Sequence, residues 1–327
     1  MRRYAGPGPA LPAVVAVLVL LLPGCGGGTG SADASPSAST APVATVPALL
    51  GPVGLAQAAD GIVWAAFAGT DAIAPLDGEG QPGTPIEVGD TPLRITALDG
   101  SMWVTTIMDG LLHQVLPTSA TVVRSIDLGG QPEGLTTFAG HLFVVLQAAA
   151  ELVEVDPADG SVVQRYRVGG EPRLVAAGDD ALYVGDFARG RVVRITPGSG
   201  GTPVRSAAVC SGVQDLEVLD GRVWAACMTD GTVVALDPRT LAVLDTVRVE
   251  GDPDGLAPGP GADLLVSLQD GPSLAVLDTA TGSVDRVFTG TTGRLDDRAN
   301  ADVLERDGAA YLSDYAGNRV QVVPFDR

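Results

Sequence analysis

The chain has 327 residues and a formal net charge of −19, and all of its basic side chains are arginines apart from two histidines. So acidic a surface excludes nucleic acid and anionic membrane faces as partners, because neutralising phosphates takes clustered cations. Glycine and proline are abundant (43 and 24 residues) and no long apolar stripe recurs at a helical period, which excludes a helical architecture.

Residues 1–24 predict an export signal. Arg2 and Arg3 give a positive start, and Leu11 to Leu22 give an apolar core, interrupted by Pro12, that is too short to span a bilayer. The signal closes on Leu22-Pro23-Gly24-Cys25, which resembles a bacterial lipobox, although Pro23 departs from that pattern. The resemblance implies acylation (palmitate-type chains) of Cys25 as the new N-terminus. The alternative is a buried or disulfide-bonded Cys25 behind an ordinary signal peptide. Removing residues 1–24 takes two arginines and no acids, leaving a formal charge of −21. Residues 25–42 are Gly, Ser, Ala, Thr and Pro with few large apolar side chains, and predict a disordered tether. Acyl chains would then hold residues 43–327 at the extracytoplasmic face of the cell membrane.

From there a repeat governs the chain. Trp64, Trp103, Phe143, Tyr183, Trp224, Leu265 and Tyr311 recur at intervals of 39, 40, 40, 41, 41 and 46 residues. Pro52, Pro92, Pro132 and Pro172, Val213 in the same register, and Pro253 keep the same step. A period near 40 with turn signals inside each unit predicts β-propeller blades of four antiparallel strands, a to d. Blade 3 is the clearest. Residues 130–138 lead into strand a, Ala139-Gly140 makes a hairpin, and 141–146 form an apolar strand b. Residues 151–155 form strand c, Asp156 to Gly160 a tight turn, and 161–168 the rim strand d. Asp-Gly pairs such as Asp99-Gly100, Asp220-Gly221 and Asp307-Gly308 mark the a–b turns, where aspartate is expected to be structural.

Six complete units fit: 51–89, 90–129, 130–169, 170–210, 211–251 and 252–299. The seventh, from Asn300, has room for three strands near 302–306, 309–313 and 319–324. Residues 43–50 precede Gly51-Pro52 as a d strand precedes Gly-x-Pro elsewhere. They predict closure of a seven-bladed, all-β ring by an N-terminal strand added to the last blade.

The repeats resemble the YVTN and NHL propeller superfamily. Residues 274–284, LAVLDTATGSV, and 235–240, ALDPRT, resemble YVTN-type c–d turns; 311–323, YLSDYAGNRVQVV, resembles an NHL repeat, with Tyr183 to Val193 a weaker copy. The resemblance implies a propeller fold. Relatives of that superfamily range from extracytoplasmic sensor and interaction propellers to gluconolactonase-like metalloenzymes and virginiamycin B-type lyases. Lysis of that type would need a histidine near Mg²⁺. His113 falls in strand c of blade 2 and His141 follows an a–b turn, both away from the expected site, and the lyase strings are missing, so that activity is not expected.

Strand a begins next to the axis, on the face shared by the d–a and b–c loops. Glu133, Arg173, Asp215, Asp254, Asn300 and Asp302, with Arg94, are expected at that channel mouth. Four acids in one funnel are a candidate site for Ca²⁺ or another divalent cation; Arg94 and Arg173 neutralising them in a hydrated channel is the other reading. The one break in the period, residues 290–299, brings Arg294, Asp296, Asp297 and Arg298 to the same face, as a binding loop or as a plain surface excursion. Cys210 and Cys227 fall at the start of strand a and the end of strand b of blade 5, at one edge, and predict a disulfide in an oxidising compartment. The expectation is a membrane-anchored ligand-binding or protein-interaction module with an envelope protein or small molecule as partner. The rival is a divalent-metal-dependent hydrolase of lactonase type.

Overall fold

The computed structural model describes residues 48–198, 203–269, 273–288 and 302–325. Seven antiparallel sheets follow one another in chain order, six of four strands and a seventh of three among the described residues. The first strands of successive blades pack side by side, Pro52–Gln57 against Pro92–Leu98 and so on round to Val303–Arg306, which packs back on Pro52–Gln57. The fold is an all-β, seven-bladed β-propeller.

The repeat is visible in the packing. Seven apolar clusters of buried residues lie one between each pair of neighbouring blades, the last joining blade 7 to blade 1. Each anchor residue sits in strand b, is at most 5% exposed, and belongs to one of these clusters. In the first four blades the anchor faces the fifth residue of its own strand a across the ladder: Trp64 faces Ala56, Trp103 Thr96, Phe143 Thr136 and Tyr183 Ala176. Small residues there leave room for the aromatic ring, which packs with the aliphatic side chains of the cluster between blades.

Turn chemistry sets the strand ends. Asp99-Gly100, Ala139-Gly140, Asp220-Gly221 and Asp307-Gly308 all have both φ values positive, the two-residue turn whose twist matches the flanking strands. The c–d turns are fixed by an aspartate side chain: Asp237 Oδ1 accepts the N–H groups of Arg239 (3.0 Å) and Thr240 (2.7 Å), and Asp278 Oδ1 those of Ala280 (2.9 Å) and Thr281 (3.0 Å).

Most of the predicted closing strand, residues 43–47, lies outside the described residues; Ala48 to Leu50 are not in a strand. They nonetheless connect the ends of the ring. Leu49 is buried with Tyr311 and Val320 of blade 7, and the Gly51 N–H donates to Asn318 Oδ1 at 2.9 Å. Gly51 has φ +62°, and a Cβ there would stand 2.7 Å from the Tyr315 ring. Thr91, which holds the same place before the blade 2 proline, donates its N–H to Asp71 Oδ1 at 2.9 Å. The seam between blades 7 and 1 therefore uses the bond that joins blade 1 to blade 2.

Candidate functional site

A slip in strand pairing aims side chains at the axis. In blades 1 to 6 the register of strand a against strand b shifts between the first and fourth residues of strand a. The N–H of the third residue is taken by a strand b hydroxyl in three blades: Arg94 by Thr105 Oγ1 (3.1 Å), Gly255 by Ser267 Oγ (2.7 Å) and Asp302 by Ser313 Oγ (2.6 Å). At this third position blade 2 carries Arg94, blade 5 Asp215 and blade 7 Asp302.

Arg94 Nη1 lies 3.2 Å from Asp302 Oδ2. Asp302 also accepts the N–H of Val303 (3.0 Å) and, across the seam, that of Leu55 in blade 1 (2.9 Å). Asp215 does the same two blades earlier, accepting from Leu216 (2.8 Å) and from Leu256 in blade 6 (2.9 Å). Each carboxylate thus splints its blade to the next. Burial alone would lower the pKa of Arg94, but Asp302, then Asp215, Asp254 and Glu133, outweigh it and hold the guanidinium charged. Burial pushes Asp215 up to about 8, against Arg94 and the two backbone donors. Its Nε and Nη2 groups leave Arg94, 6% exposed, with two buried donors that have no hydrogen-bond partner, and Gln214 Nε2 is likewise unpaired.

Glu133 and Asp254, from the second position, are also buried within electrostatic reach of Arg94. Gln269 Nε2 donates to Asp254 Oδ2 at 2.8 Å. Glu133 is raised by burial, with Arg173 and Arg94 pulling the other way; Arg173 Nη1 is 3.7 Å from it. Arg173 also pairs with Glu171 and lies over the Phe187 ring at 5.1 Å. The structure therefore gathers Arg94, Glu133, Arg173, Asp215, Asp254 and Asp302 around one axis. Asn300, the loop residues Arg294, Asp296, Asp297 and Arg298, and Cys25 lie outside the described residues.

The same carboxylates make poor calcium ligands. Ca²⁺ takes six to eight oxygens, whereas Asp215 and Asp302 are already engaged by backbone N–H groups and, for Asp302, by Arg94. Among the described residues no three His, Cys, Asp or Glu side chains converge as a metal site. The described residues do not fit the divalent cation that the sequence allowed.

On the a–b turn side of this charged layer the channel opens into a funnel of about 440 Å³. Every blade contributes an aliphatic residue to its wall from the fourth position of strand a: Leu55, Ile95, Leu135, Val175, Leu216, Leu256 and Val303. Arg94, Asp215, Asp302 and Glu217 also line it. Glu217 is the residue that sequence reasoning missed. It faces the anchor Trp224, in the slot where the other blades place Ala56, Thr96, Thr136, Ala176, Ala257 and Leu304. Lining up the repeats strand by strand would have exposed it as the one acid in that column. Its Oε1 accepts the Val218 N–H at 2.9 Å, and burial pushes its carboxyl up to about 7.

The histidines serve elsewhere. His113 is buried, with Nε2 3.1 Å from Thr106 Oγ1 and Nδ1 2.9 Å from Ser125 Oγ, and burial lowers its pKa. His141 Nδ1 is 2.7 Å from Glu154 Oε1, whose carboxylate also accepts the Tyr166 hydroxyl at 2.7 Å. Cys210 and Cys227 form a disulfide with Cα atoms 5.9 Å apart, closing a sequence separation of 17 residues. A loop of that size contributes about 3 kcal/mol. A Cys210→Ser/Cys227→Ser double variant is expected to melt about 5–10 °C lower, read by thermal denaturation with and without reductant; equal melting under both conditions in the parent would contradict that role.

No protein-family model matches the sequence, and no curated protein matches it. Solved structures do, by shape. Virginiamycin B lyase from Staphylococcus aureus superposes with a TM-score of 0.73 at 14% identity, over 84% of this chain and 94% of that one. A streptogramin B lyase structure gives 0.73 at 15%, over 86% and 95%. Hydrazine synthase from Kuenenia stuttgartiensis gives 0.70 at 16%, over 85% and 96%. At these identities the likeness is one of fold.

Proposed function

We propose that the chain is a membrane-tethered binding module that takes a small ligand into the axial funnel. The observation that carries this reading is the funnel itself. It is a concave site with an aliphatic wall from all seven blades, floored by an ionised guanidinium with unpaired donors, on a frame in which Asp215 and Asp302 lock blade to blade. Asp215 and Asp302, engaged by backbone N–H groups of their own and the next blade, hold the frame on which a ligand would sit. Neither His113 nor His141 lines the funnel, so streptogramin lysis is not part of the proposal. The N-terminal pattern supports an extracytoplasmic, lipid-anchored location, and a Cys25→Ser variant should appear in the soluble fraction instead of the membrane.

Thermal-shift screening of a small-metabolite library against the parent and a Thr137→Trp variant, which narrows the funnel at a lining position that does not face an anchor ring and whose own melting curve confirms folding, tests the reading. Compounds that stabilise the parent and not the variant are expected; a screen in which every hit acts equally on both would remove the funnel as the binding site. Millimolar Ca²⁺ is expected to leave the melting temperature unchanged. A rise that disappears in Asp254→Ala would restore the metal-hydrolase alternative.

A further inference from the structure

Among the charges of the funnel, the carboxyl of Glu217 is the one left without a counterpart. Arg94 is answered by Asp302 at 3.2 Å and by the carboxylates of Asp215, Asp254 and Glu133 around it, and its two unpaired donors are shielded from solvent. Glu217 is half-buried in the funnel wall and keeps access to solvent. Its one described hydrogen bond comes from the adjacent Val218 N–H. Burial pushes its carboxyl up to about 7, and that bond alone works against the shift, so no described cation offsets the charge. Arg222, on the neighbouring strand, lies over the Trp224 ring at 5.9 Å and has no described ion pair with Glu217. The six equivalent positions carry Ala, Thr or Leu, so the packing of the repeat does not require an acid there.

A carboxylate in an apolar wall is costly until something pairs with it. The side chains lining the funnel include three acids, Asp215, Glu217 and Asp302, against the one base Arg94. That balance favours a cation and disfavours an anion. The wall is otherwise mainly aliphatic, which suits a hydrocarbon body and not a hydrated metal ion that needs six or more oxygens. Resting on the funnel as the binding site, we infer that its ligand is a small aliphatic amine, whose ammonium pairs with Glu217 and whose hydrocarbon body lies against the ring of Leu, Ile and Val side chains.

Isothermal titration at pH 8 with three probes of similar shape tests this: isoamylamine, still a cation there because aliphatic amines titrate near about 10, isoamyl alcohol, which is neutral, and 4-methylpentanoate, an anion. The amine is expected to bind about tenfold or more tighter than either of the others. Glu217→Gln should bring it level with the alcohol. Glu217→Ala, which installs the side chain that blades 1, 4 and 6 carry at that position, should do the same in a second background; melting curves of both variants confirm folding. An amine that binds no tighter than the alcohol, or that keeps its advantage in both variants, overturns the inference. If none of the three probes binds while library hits are still blocked by Thr137→Trp, the amine fails and the funnel stands. If that substitution blocks nothing, both fall.

Discussion

Replacing Asp302 with Ala is expected to lower the melting temperature by about 10 °C. The substitution leaves Arg94 buried without its ion pair, a loss worth about 3–5 kcal/mol, and it also orphans the Leu55 N–H at the seam between the last blade and the first. For a domain of this size each kcal/mol moves the midpoint by roughly 2–4 °C. Asp215→Ala is the matched comparison, because Asp215 makes the same two backbone bonds without a direct pair to Arg94. It should cost less than half as much. Asp302→Asn, which retains an acceptor for Leu55, should fall between them. Equal losses for Asp302→Ala and Asp215→Ala would show that the ion pair contributes nothing beyond the splint.

The second large effect has the opposite sign. Glu217→Gln is expected to stabilise the protein at alkaline pH. The native carboxyl titrates near 7, above its ordinary value of 4.5, because it is buried. Below about pH 4 the group is protonated in both states and costs nothing. As pH rises past the unfolded value the unfolded chain releases its proton more readily, so stability declines until the native group also ionises. A shift of this size corresponds to roughly 3 kcal/mol by pH 8. Glutamine preserves the Val218 bond and has no charge to bury. Urea denaturation at pH 4, 6 and 8 should show parent and variant alike at the lowest pH and about 2–3 kcal/mol apart at the highest. Asp215, pushed up to about 8, adds a remaining slope of the same sign in both proteins. Parallel stability curves for the two would sink this account of Glu217.

Much of the architecture was legible because each blade solves the same packing problem. Anchors at steps of 39 to 41 residues mark the middle of strand b, and the Asp-Gly pairs mark its start. The strands of blade 3 fall at His141–Leu146, Glu151–Val155 and Val162–Arg167, within a residue of where hydrophobic pattern and turn chemistry placed them. The axial charges were legible for a similar reason: a residue two or three places into strand a has nowhere to go but the channel or its edge. The backbone duties of Asp215 and Asp302 were not, since they arise from a slip in pairing that single-strand periodicity does not register. Glu217 was hidden by its ordinary surroundings. In Asp215-Leu216-Glu217-Val218 it reads as the polar partner of an alternating strand, and only its cross-strand neighbour Trp224 makes it unusual.

The seam carries one further implication. Hydrogen bonds within a blade join residues a few dozen positions apart at most, but those that shut the circle join Leu55 to Asp302 and Gly51 to Asn318, separated by 247 and 267 positions. Their loop-closure cost must be met before they return anything. Six blade interfaces can therefore assemble as an open arc, with the seventh snapping shut as a distinct, late kinetic event. Moving the chain ends to another d–a loop by circular permutation would relocate that event while preserving the finished ring.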